Sequence, residues 1–270
     1  MSSLQFVKLS PTQNVTVLVT SPVPRAHQAA VAARLLAYDG VGGEQVGYLE
    51  APADARARAR LQMMGGEFCG NASMALAAWL CAGDDLADGA EAEVLLEVSG
   101  GSGLTPCRVR RSGSLYRGTV RLPPPACVTT FSLPLGEVPL VAFPGISHLI
   151  LPAGLNLDEA TLRKALPRWN ERIGADALGA ILWDEANQAI DPLVYVPSAG
   201  TLVRERGCGS GTAAVGCHMA LRAGRPFSGG IRQSGGVIEV SCAPKDGRVD
   251  ALAITGDVRI VAAGEAWVED

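Results

Sequence analysis

Two apolar helices, each entered through a glycine-flanked cysteine, constrain this chain more than anything else in it. The first lies in GGEFCGNASMALAAWL, residues 65–80, and the second in ERGCGSGTAAVGCHMA, residues 205–220. Both helices are rich in alanine and carry few charges, so each belongs in an interior with other structure packed around it. The spacing predicts helices over 72–82 and 211–223, with Cys69 and Cys208 at their starts.

The flanking sequence repeats the same order around each helix. FVKLS and VTVLVT alternate as strands on either side of PTQN, and HQAAVAARLLAYDG follows as a helix. EQVGYLE and ARLQMM come next as strands, then the first cysteine segment, then the strands AEVLLEVSG, LTPCRVRR and LYRGTVRL. In the second half VPLVAFPG and ISHLILP read as strands. LDEATLRKALPRW reads as a helix with Asp158 early and Pro167 near its end. GAILWD and PLVYVP precede the second cysteine segment. IRQSGGVIEVSC, RVDALAITGD and RIVAAGEAWVE close the chain as three strands. Three consecutive prolines in PPPACVTTFSLP mark the boundary between the halves, since proline continues neither a helix nor a central strand. The reading is an α/β protein of two like domains, 1–125 and 131–258, each a curled sheet around a central helix, related by internal duplication.

Composition narrows the function. The chain has 270 residues, a net charge of −4 and 32 glycines. No basic stripe interleaved with aromatics appears, so nucleic acid is not an expected partner. The one basic cluster, ARARAR at 55–60, reads as a solvated strand or turn edge. No apolar run reaches the roughly 20 residues of a membrane span, and the opening residues lack a secretory apolar core. Seven cysteines, an odd number without a CxxC pair, favour neither a disulfide framework nor a structural zinc site. A cytoplasmic protein without metal or cofactor is expected.

A thiol at a glycine-rich helix start has a chemical meaning. Unpaired N–H groups and the positive end of the helix dipole favour an anion there. A thiolate is stabilised at such a place, and glycines allow a ligand close to the backbone. CGN (Cys69, Gly70, Asn71) and CGSG (Cys208, Gly209, Ser210, Gly211) each join a candidate acid or base to an anion cradle. Two such elements in matching halves suit inversion at a carbon. One thiolate removes a proton from one face while the other thiol supplies one to the opposite face. Charge developing on an amino acid's carboxylate would be stabilised by both helix N-termini.

These motifs resemble those of the cofactor-independent diaminopimelate epimerases. FVKLSPTQNVTVLV is similar to that family's first strand and turn, with Asn14 as the substrate-contacting asparagine. GGEQVGYLE is similar to its glutamine segment, with Gln45, and GISHLI stands in its Gly-Asn-Pro-His position with His148 retained. The chain departs from the family where the distal end of diaminopimelate would be recognised. The stretch before Cys69 is contracted to MMGGEFC, Ile146 stands where an asparagine is expected, and another asparagine is missing near GAILWD. Losing buried polar recognition groups implies a different side chain on the substrate.

EQVGYLE, EFCGNASM and CGSGTAAVG, with the same contractions, resemble the histidine racemase branch that supplies D-histidine for staphylopine-type metallophores. The resemblance implies Cys69 and Cys208 as catalytic residues and an amino acid, histidine first, as the small-molecule partner. It implies substrate contacts from Asn14 and Gln45, which otherwise read as turn hydrogen bonds, and from His148, which otherwise reads as a structural histidine. Gly70, Asn71, Gly209 and Ser210 read from the cradles as carboxylate or ammonium contacts or as simple capping. It also implies a homodimer and a last strand, about 259–270, that returns to the first domain. Glu44 reads either as a contact to an imidazole N–H or ammonium, or as a solvated turn carboxylate. Glu205 and Arg206 read either as ligand contacts or as an exposed ion pair. Cys81, Cys107, Cys127, Cys217 and Cys242 read as packing or incidental thiols.

Rival readings lack residues they need. A pyridoxal-phosphate racemase requires a Schiff-base lysine, and Lys8, Lys164 and Lys245 have no phosphate-cradling surroundings. Proline and hydroxyproline epimerases also pair two cysteines, but in longer chains with different residues around the first thiol. Phenazine-type isomerases lack the cysteine pair. A redox protein needs thiols within disulfide range. A non-catalytic amino-acid binder uses the cradles but leaves both cysteines unexplained.

Overall fold

In a computed structural model of the chain, residues 2–134, 136–155, 157–197 and 200–268 are described. The chain forms two compact units. One runs to Arg121 and takes back the stretch from Thr255, and the other spans Leu122–Ile254.

The first unit begins with β1 (Ser2–Pro11), β2 (Thr16–Val19), α1 (Arg25–Leu36), β3 (Gln45–Glu50) and β4 (Ala59–Met63). It continues with α2 (Gly70–Gly83), β5 (Glu91–Val98), β6 (Leu104–Ser112) and β7 (Leu115–Arg121). The second holds β8 (Cys127–Leu133), β9 (Gly136–Phe143), β10 (Ile146–Pro152), α3 (Glu159–Ile173), β11 (Leu178–Asp184) and β12 (Ala189–Val196). It goes on through β13 (Thr201–Arg204), α4 (Gly209–Ala223), β14 (Phe227–Gln233), β15 (Gly236–Lys245) and the start of β16 (Arg248–Val268). The rest of β16 belongs to the first unit. Among the described residues no helix is long and apolar enough to cross a membrane.

The two units share one internal plan. In the first, β1 and β2 are antiparallel, β2 and β3 parallel across α1, β3 and β4 antiparallel, β4 and β5 parallel across α2, and β5 and β6 antiparallel. The second repeats this with β9 and β10, β10 and β11 across α3, β11 and β12, β12 and β14 across α4, and β14 and β15. Each parallel step requires a crossover, which is why each unit carries two helices. The architecture is mixed α/β, rich in sheet, with an internal repeat.

In the first unit the ladder closes. Strands β1 to β7 pair in sequence order, β7 continues to β16, and β1 pairs back onto β16. Helix α2 lies inside this ring, packed against β1, β2 and β4 to β7. Its residues from Asn71 to Ala78 are all buried, as an alanine-rich helix apolar on every side requires. Small residues bring strand and helix close: a Cβ on Gly118 of β7 would lie 2.9 Å from the Met74 Cβ of α2. Helix α1 covers another face, where Ala32 and Leu35 join Leu4, Val17, Val19, Val46 and Tyr48. In the second unit α4 packs against β9 to β12, β14 and β15. Helix α3 covers the other face, through Leu162, Leu166 and Trp169 against Leu149, Leu151, Leu178 and Leu193.

Several local expectations are corrected. Helix α3 continues past Pro167 to Ile173 and stops at left-handed Gly174, with Asp158 as its N-cap outside the helix. IRQSGGVIEVSC is not one strand but the β14–β15 hairpin, turning at Ser234 and Gly235. The last two expected strands are one continuous strand, β16. The ARARAR stretch is the solvated turn and strand edge expected, with Arg56 and Arg58 exposed beside Asp54 and Asp84, and half-buried Arg60 beside Glu50 and Glu97.

The Gly118–Met74 contact yields a stability test. Gly118→Ala should lower unfolding free energy by about 1–3 kcal/mol, the usual cost of overpacking a tight interior. Urea unfolding checks it. An unchanged midpoint would show that the contact between β7 and α2 relaxes freely.

Candidate active site

Both cysteines cap the helices they precede. Cys69 is the N-cap of α2, in extended backbone, and its Sγ accepts from the Ala72 N–H at 3.4 Å. Cys208 is the N-cap of α4, and its Sγ accepts from the Gly211 N–H at 3.2 Å. A hydroxyl four residues on completes each turn: Ser73 Oγ donates to the Cys69 carbonyl at 2.7 Å, and Thr212 Oγ1 to the Cys208 carbonyl at 2.8 Å. The matched CxxxS and CxxxT therefore have a structural origin. Sulfur takes the place of the oxygen that usually satisfies a helix N-terminus.

The first thiol sits at the end of a chain of polar side chains. Cys69 Sγ donates to Gln45 Oε1 at 3.1 Å. Gln45 Nε2 donates to Asn14 Oδ1 at 2.6 Å and to Thr16 Oγ1 at 2.8 Å. Asn14 Nδ2 donates to Glu44 Oε2 at 2.9 Å. Asn14, Glu44 and Gln45, far from Cys69 in sequence, thus converge on it, and Glu44 is not merely a solvated turn carboxylate. Two features aim them. Thr12 and Gln13 take positive φ, so the β1–β2 turn folds back and buries Asn14. The loop before Cys69 is pinned by Ser99, whose Oγ donates to the Glu67 carbonyl at 2.8 Å. Gly100, at φ +69°, lets Phe68 approach: a Cβ there would lie 2.4 Å from the Phe68 nitrogen. Gly70 and buried Asn71 form the first turn of α2.

The second thiol has a different setting. Cys208 is buried, and Glu205, just after β13, hydrogen-bonds to it through its carboxyl. Burial first, and then the Glu205 charge, push the Cys208 thiol well above the usual range. Burial pushes the Glu205 carboxyl up as well, while its bond to Cys208 pulls it down. Part of Glu205 remains in contact with water, but the carboxyl end lies among protein atoms. Ser210 Oγ is 3.7 Å from the sulfur, and Gly209 is buried in the first turn. Glycine at 211 leaves room for its neighbours, since a Cβ there would lie 2.7 Å from Ile181 Cδ1 and 3.0 Å from Cys208 Sγ. Arg206 is exposed, and its carbonyl accepts from the Gly235 N–H in the β14–β15 turn. Glu205 and Arg206 do not act as a simple exposed ion pair, because the Glu205 carboxyl is turned to the thiol.

One residue has no warning in the sequence. Gln233, at the end of β14, accepts from the Cys208 N–H through Oε1 at 2.6 Å and donates to Thr212 Oγ1 at 2.8 Å. It holds the helix start to the sheet. Its QSGG context signals only a turn.

His148 lies on β10, fully buried, and neither ring nitrogen has a hydrogen-bond partner among the described residues. Its neighbours Leu149 and Leu151 face α3, so strand alternation turns His148 to the α4 side of the sheet. Gly179 stands opposite it on β11, and a Cβ there would lie 2.2 Å from Nδ1. Burial pushes the imidazole down to about 3.

The remaining features add little to this chemistry. Cys81, Cys107, Cys217 and Cys242 are buried and Cys127 is exposed. Cys217 hydrogen-bonds to Cys242. A surface pocket of about 600 Å³ within the second unit is lined by Ile150, Trp183, His218 and Arg222 among others, and holds neither Cys208 nor Glu205. Among the described residues no group of three or more His, Cys, Asp or Glu side chains is placed to hold a metal ion.

With this geometry established, comparison with known proteins is decisive. The family described as the histidine racemase CntK N-terminal domain matches residues 3–267. This chain belongs to the histidine racemase family. A histidine racemase from Staphylococcus aureus strain Mu50 is 30% identical over 280 residues, covering 98% of each chain. One from Fusobacterium nucleatum subsp. nucleatum is 26% identical, covering 98% of this chain and 97% of its own. The protein is an isomerase of the amino-acid racemase class. Diaminopimelate epimerase is therefore the looser description, and the histidine racemase branch the better one. In fold the chain is similar to a hydroxyproline epimerase from Agrobacterium vitis with bound trans-4-hydroxy-L-proline. That match has a TM-score of 0.74 at 16% identity and covers 99% of this chain and 93% of that one. A PhzF-family phenazine biosynthesis protein from Enterococcus faecalis matches with a TM-score of 0.61 at 14% identity, covering 99% and 100%.

The buried imidazole predicts a pH dependence. A histidine whose folded value lies below its unfolded value of about 6.5 binds protons more readily when unfolded. Stability is therefore lost as pH falls from about 6.5 toward 3. His148→Leu should flatten this acid limb, by up to about 4 kcal/mol at its foot. Denaturant unfolding across that range checks it. A curve displaced in parallel, with its slope kept, would refute the assignment.

Proposed function

We propose that this chain interconverts L- and D-histidine without a cofactor, with Cys69 and Cys208 as proton acceptor and donor on opposite faces of the α-carbon. The observation that carries the reading is the repeat itself. Each unit presents a thiol as the N-cap of its α2 or α4 crossover helix, at the same step of the same strand order. Family membership supplies the reaction class, and the relatives' histidine racemase names supply the substrate.

In the proposed step one thiolate takes the α-proton while the other thiol delivers its own proton to the opposite face. The two cysteines end with their protonation exchanged, and the reverse turnover restores them. The electron pair left by the proton spreads into the substrate carboxylate. Backbone N–H groups at Gly70 and Asn71, and at Gly209 and Ser210, favour that charge where it develops. Cys208, kept protonated by burial and by Glu205, is the resting donor. For the reverse direction to start from the resting protein, Cys208 first passes its proton to Glu205, whose carboxyl burial has raised, and the resulting thiolate then takes the α-proton. Asn14, Gln45 and Glu44 orient the substrate beside Cys69. His148, neutral at ordinary pH and with both nitrogens available, offers a donor and an acceptor to a substrate polar group. Arg206, next to Glu205 in the chain, serves as a further contact to the substrate's carboxylate.

The test is turnover in D₂O by reduced protein without added cofactor. L-histidine should give D-histidine carrying deuterium at Cα, while unreacted L-histidine keeps its proton early in the reaction. Cys69→Ser and Cys208→Ser should each lower racemisation on the order of 10²–10⁴-fold, as loss of an acid or base does. Near-normal rates in both variants would end the two-base reading. Exchange confined to another amino acid would end the histidine assignment alone.

A further inference from the structure

We infer that Glu44 sets the direction of a hydrogen-bond relay, Glu44–Asn14–Gln45–Cys69, so that the group facing the Cys69 sulfur is an acceptor and the resting thiol keeps its proton. The inference rests on the proposed function only in treating Cys69 as a reacting thiol.

The argument starts at the one member that cannot be turned around. An ionised carboxylate only accepts hydrogen bonds, whereas an amide side chain can present either its oxygen or its NH₂. Glu44 Oε2 lies 2.9 Å from Asn14 Nδ2, and reversing Asn14 would set two acceptors against each other there. Asn14 must therefore turn Oδ1 toward Gln45. Gln45 must then turn Nε2 toward Asn14, which it meets at 2.6 Å. Only Oε1 is left for the sulfur, at 3.1 Å. Thr16 supports the same direction. Its hydroxyl hydrogen goes to the Asn14 carbonyl at 3.3 Å, leaving lone pairs for Gln45 Nε2 at 2.8 Å. An acceptor facing the sulfur stabilises S–H and disfavours the thiolate.

Other titratable groups around this thiol do not set that direction. Glu67, in the loop before Cys69, is engaged by the N–H groups of Gly65 and Glu67, and burial pushes its carboxyl up. Cys107 on β6 points toward the α2 carbonyl of Ser73 at 4.0 Å, and burial pushes it up as well. Tyr116 is buried on β7. Lys8 of β1 donates to the Val41 carbonyl at 3.1 Å. Among the described hydrogen bonds, those of the Gln45 and Asn14 side chains run to Thr16, Glu44, Cys69 and each other, not to these groups. The two thiols are thus held protonated by different means, Cys208 by a carboxyl at the sulfur and Cys69 by a carboxylate two side chains away. At Cys69 the hold is reversible: if a substrate ammonium or imidazole N–H captures Glu44, Asn14 and Gln45 are free to turn and offer NH₂ to the sulfur, whose proton passes to solvent water and leaves the thiolate that accepts the α-proton. Glu44 and Asn14 are positioning residues in this scheme.

The experiment is alkylation of Cys69 by iodoacetamide in the folded, full-length protein over a pH series, read by mass spectrometry of the Cys69 peptide. Thiolate is the reacting form, so the profile follows its population. Glu44→Gln should move the profile to lower pH and raise alkylation at neutral pH roughly tenfold, equivalent to one pH unit. Asn14→Leu breaks the relay while leaving the Glu44 charge in place, and should shift the profile the same way. If Glu44→Gln shifts it and a folded Asn14→Leu does not, the charge acts through space and the relay is wrong. If neither shifts it, the relay is also wrong. Should Asn14→Leu fail to fold, the double variant Asn14→Asp/Glu44→Gln swaps acid and amide, keeps the total charge and restores the acceptor direction. It should return the wild-type profile, and a profile that stays at the Glu44→Gln position overturns the inference. The readout needs no turnover, so a protein that failed to racemise histidine would leave this comparison intact.

Discussion

The structure is organised around an awkward requirement: two helix N-termini are buried, and their first amides still need acceptors. In most proteins a serine, threonine, aspartate or asparagine oxygen meets this need strongly. Here sulfur meets it, at 3.4 Å from Ala72 and 3.2 Å from Gly211. A sulfur cap is a weak one, so the chain supplies more support nearby. Ser73 and Thr212 tie each cap carbonyl to the next turn, and Gln233 fastens the Cys208 amide to the sheet. Alanine and glycine along both helices bring the surrounding strands close enough to hold them in place, as at Gly118 and Gly211. The repeated parallel crossovers give each helix this position in its own unit.

A shared frame does not make the thiols alike. Duplication of a structural plan repeats backbone, and hence repeats the N-cap, but side chains on neighbouring strands diverge freely. Cys69 meets a neutral amide at the end of a relay, while Cys208 meets a carboxyl directly and lies deeper. In the proposed reaction each thiol acts on only one face, so working in both directions on mirror-image ligands does not call for mirror-image surroundings. It needs two groups whose protonation can be exchanged by turnover. Different neighbours accomplish that with different proton stores, provided each store releases its hold when the substrate arrives.

Much of this was legible in the sequence because it depends on pattern. CGNAS and CGSGT before alanine-rich runs located both helices to within about two residues, and alternating apolar residues located most strands. Asn14 and Gln45 entered as site residues through family likeness and not through any spacing along the chain, and Glu44 was open between a ligand contact and a turn carboxylate. The hydrogen bonds that join all three to Cys69 are visible only in the structure. What escaped depends on tertiary placement. The β13 strand, Thr201–Arg204, is short and mostly exposed, so it has no apolar alternation to reveal it. Pro167 reads as a stop, yet α3 passes through it, since packing of Leu166 and Trp169 outweighs one lost hydrogen bond. Gly256 and Asp257 read as a break, but both lie within β16, which β1 and β7 pair along different parts of its length. Gln233 and the empty hydrogen-bonding capacity of His148 are invisible until the neighbours are known.

The choice of cysteine at the caps is itself a compromise between stability and chemistry. An aspartate there would satisfy the helix amides well, and would for that reason leave little of their field for a substrate carboxylate. A serine would cap adequately but hold its proton too firmly to serve as a base near neutrality. Cysteine accepts weakly, so the first-turn amides keep most of their capacity for an incoming anion, and its proton can be moved by modest changes nearby. The cost is a helix start that must be secured by other groups, and the residues beside each thiol meet it. Hydroxyls at Ser73 and Thr212, the Gln233 clasp and the Gln45 relay all act on a cap that by itself is too soft to order its helix. In the proposed reaction the same softness lets a single hydrogen bond, such as that from Cys69 to Gln45, decide whether the sulfur is acid or base.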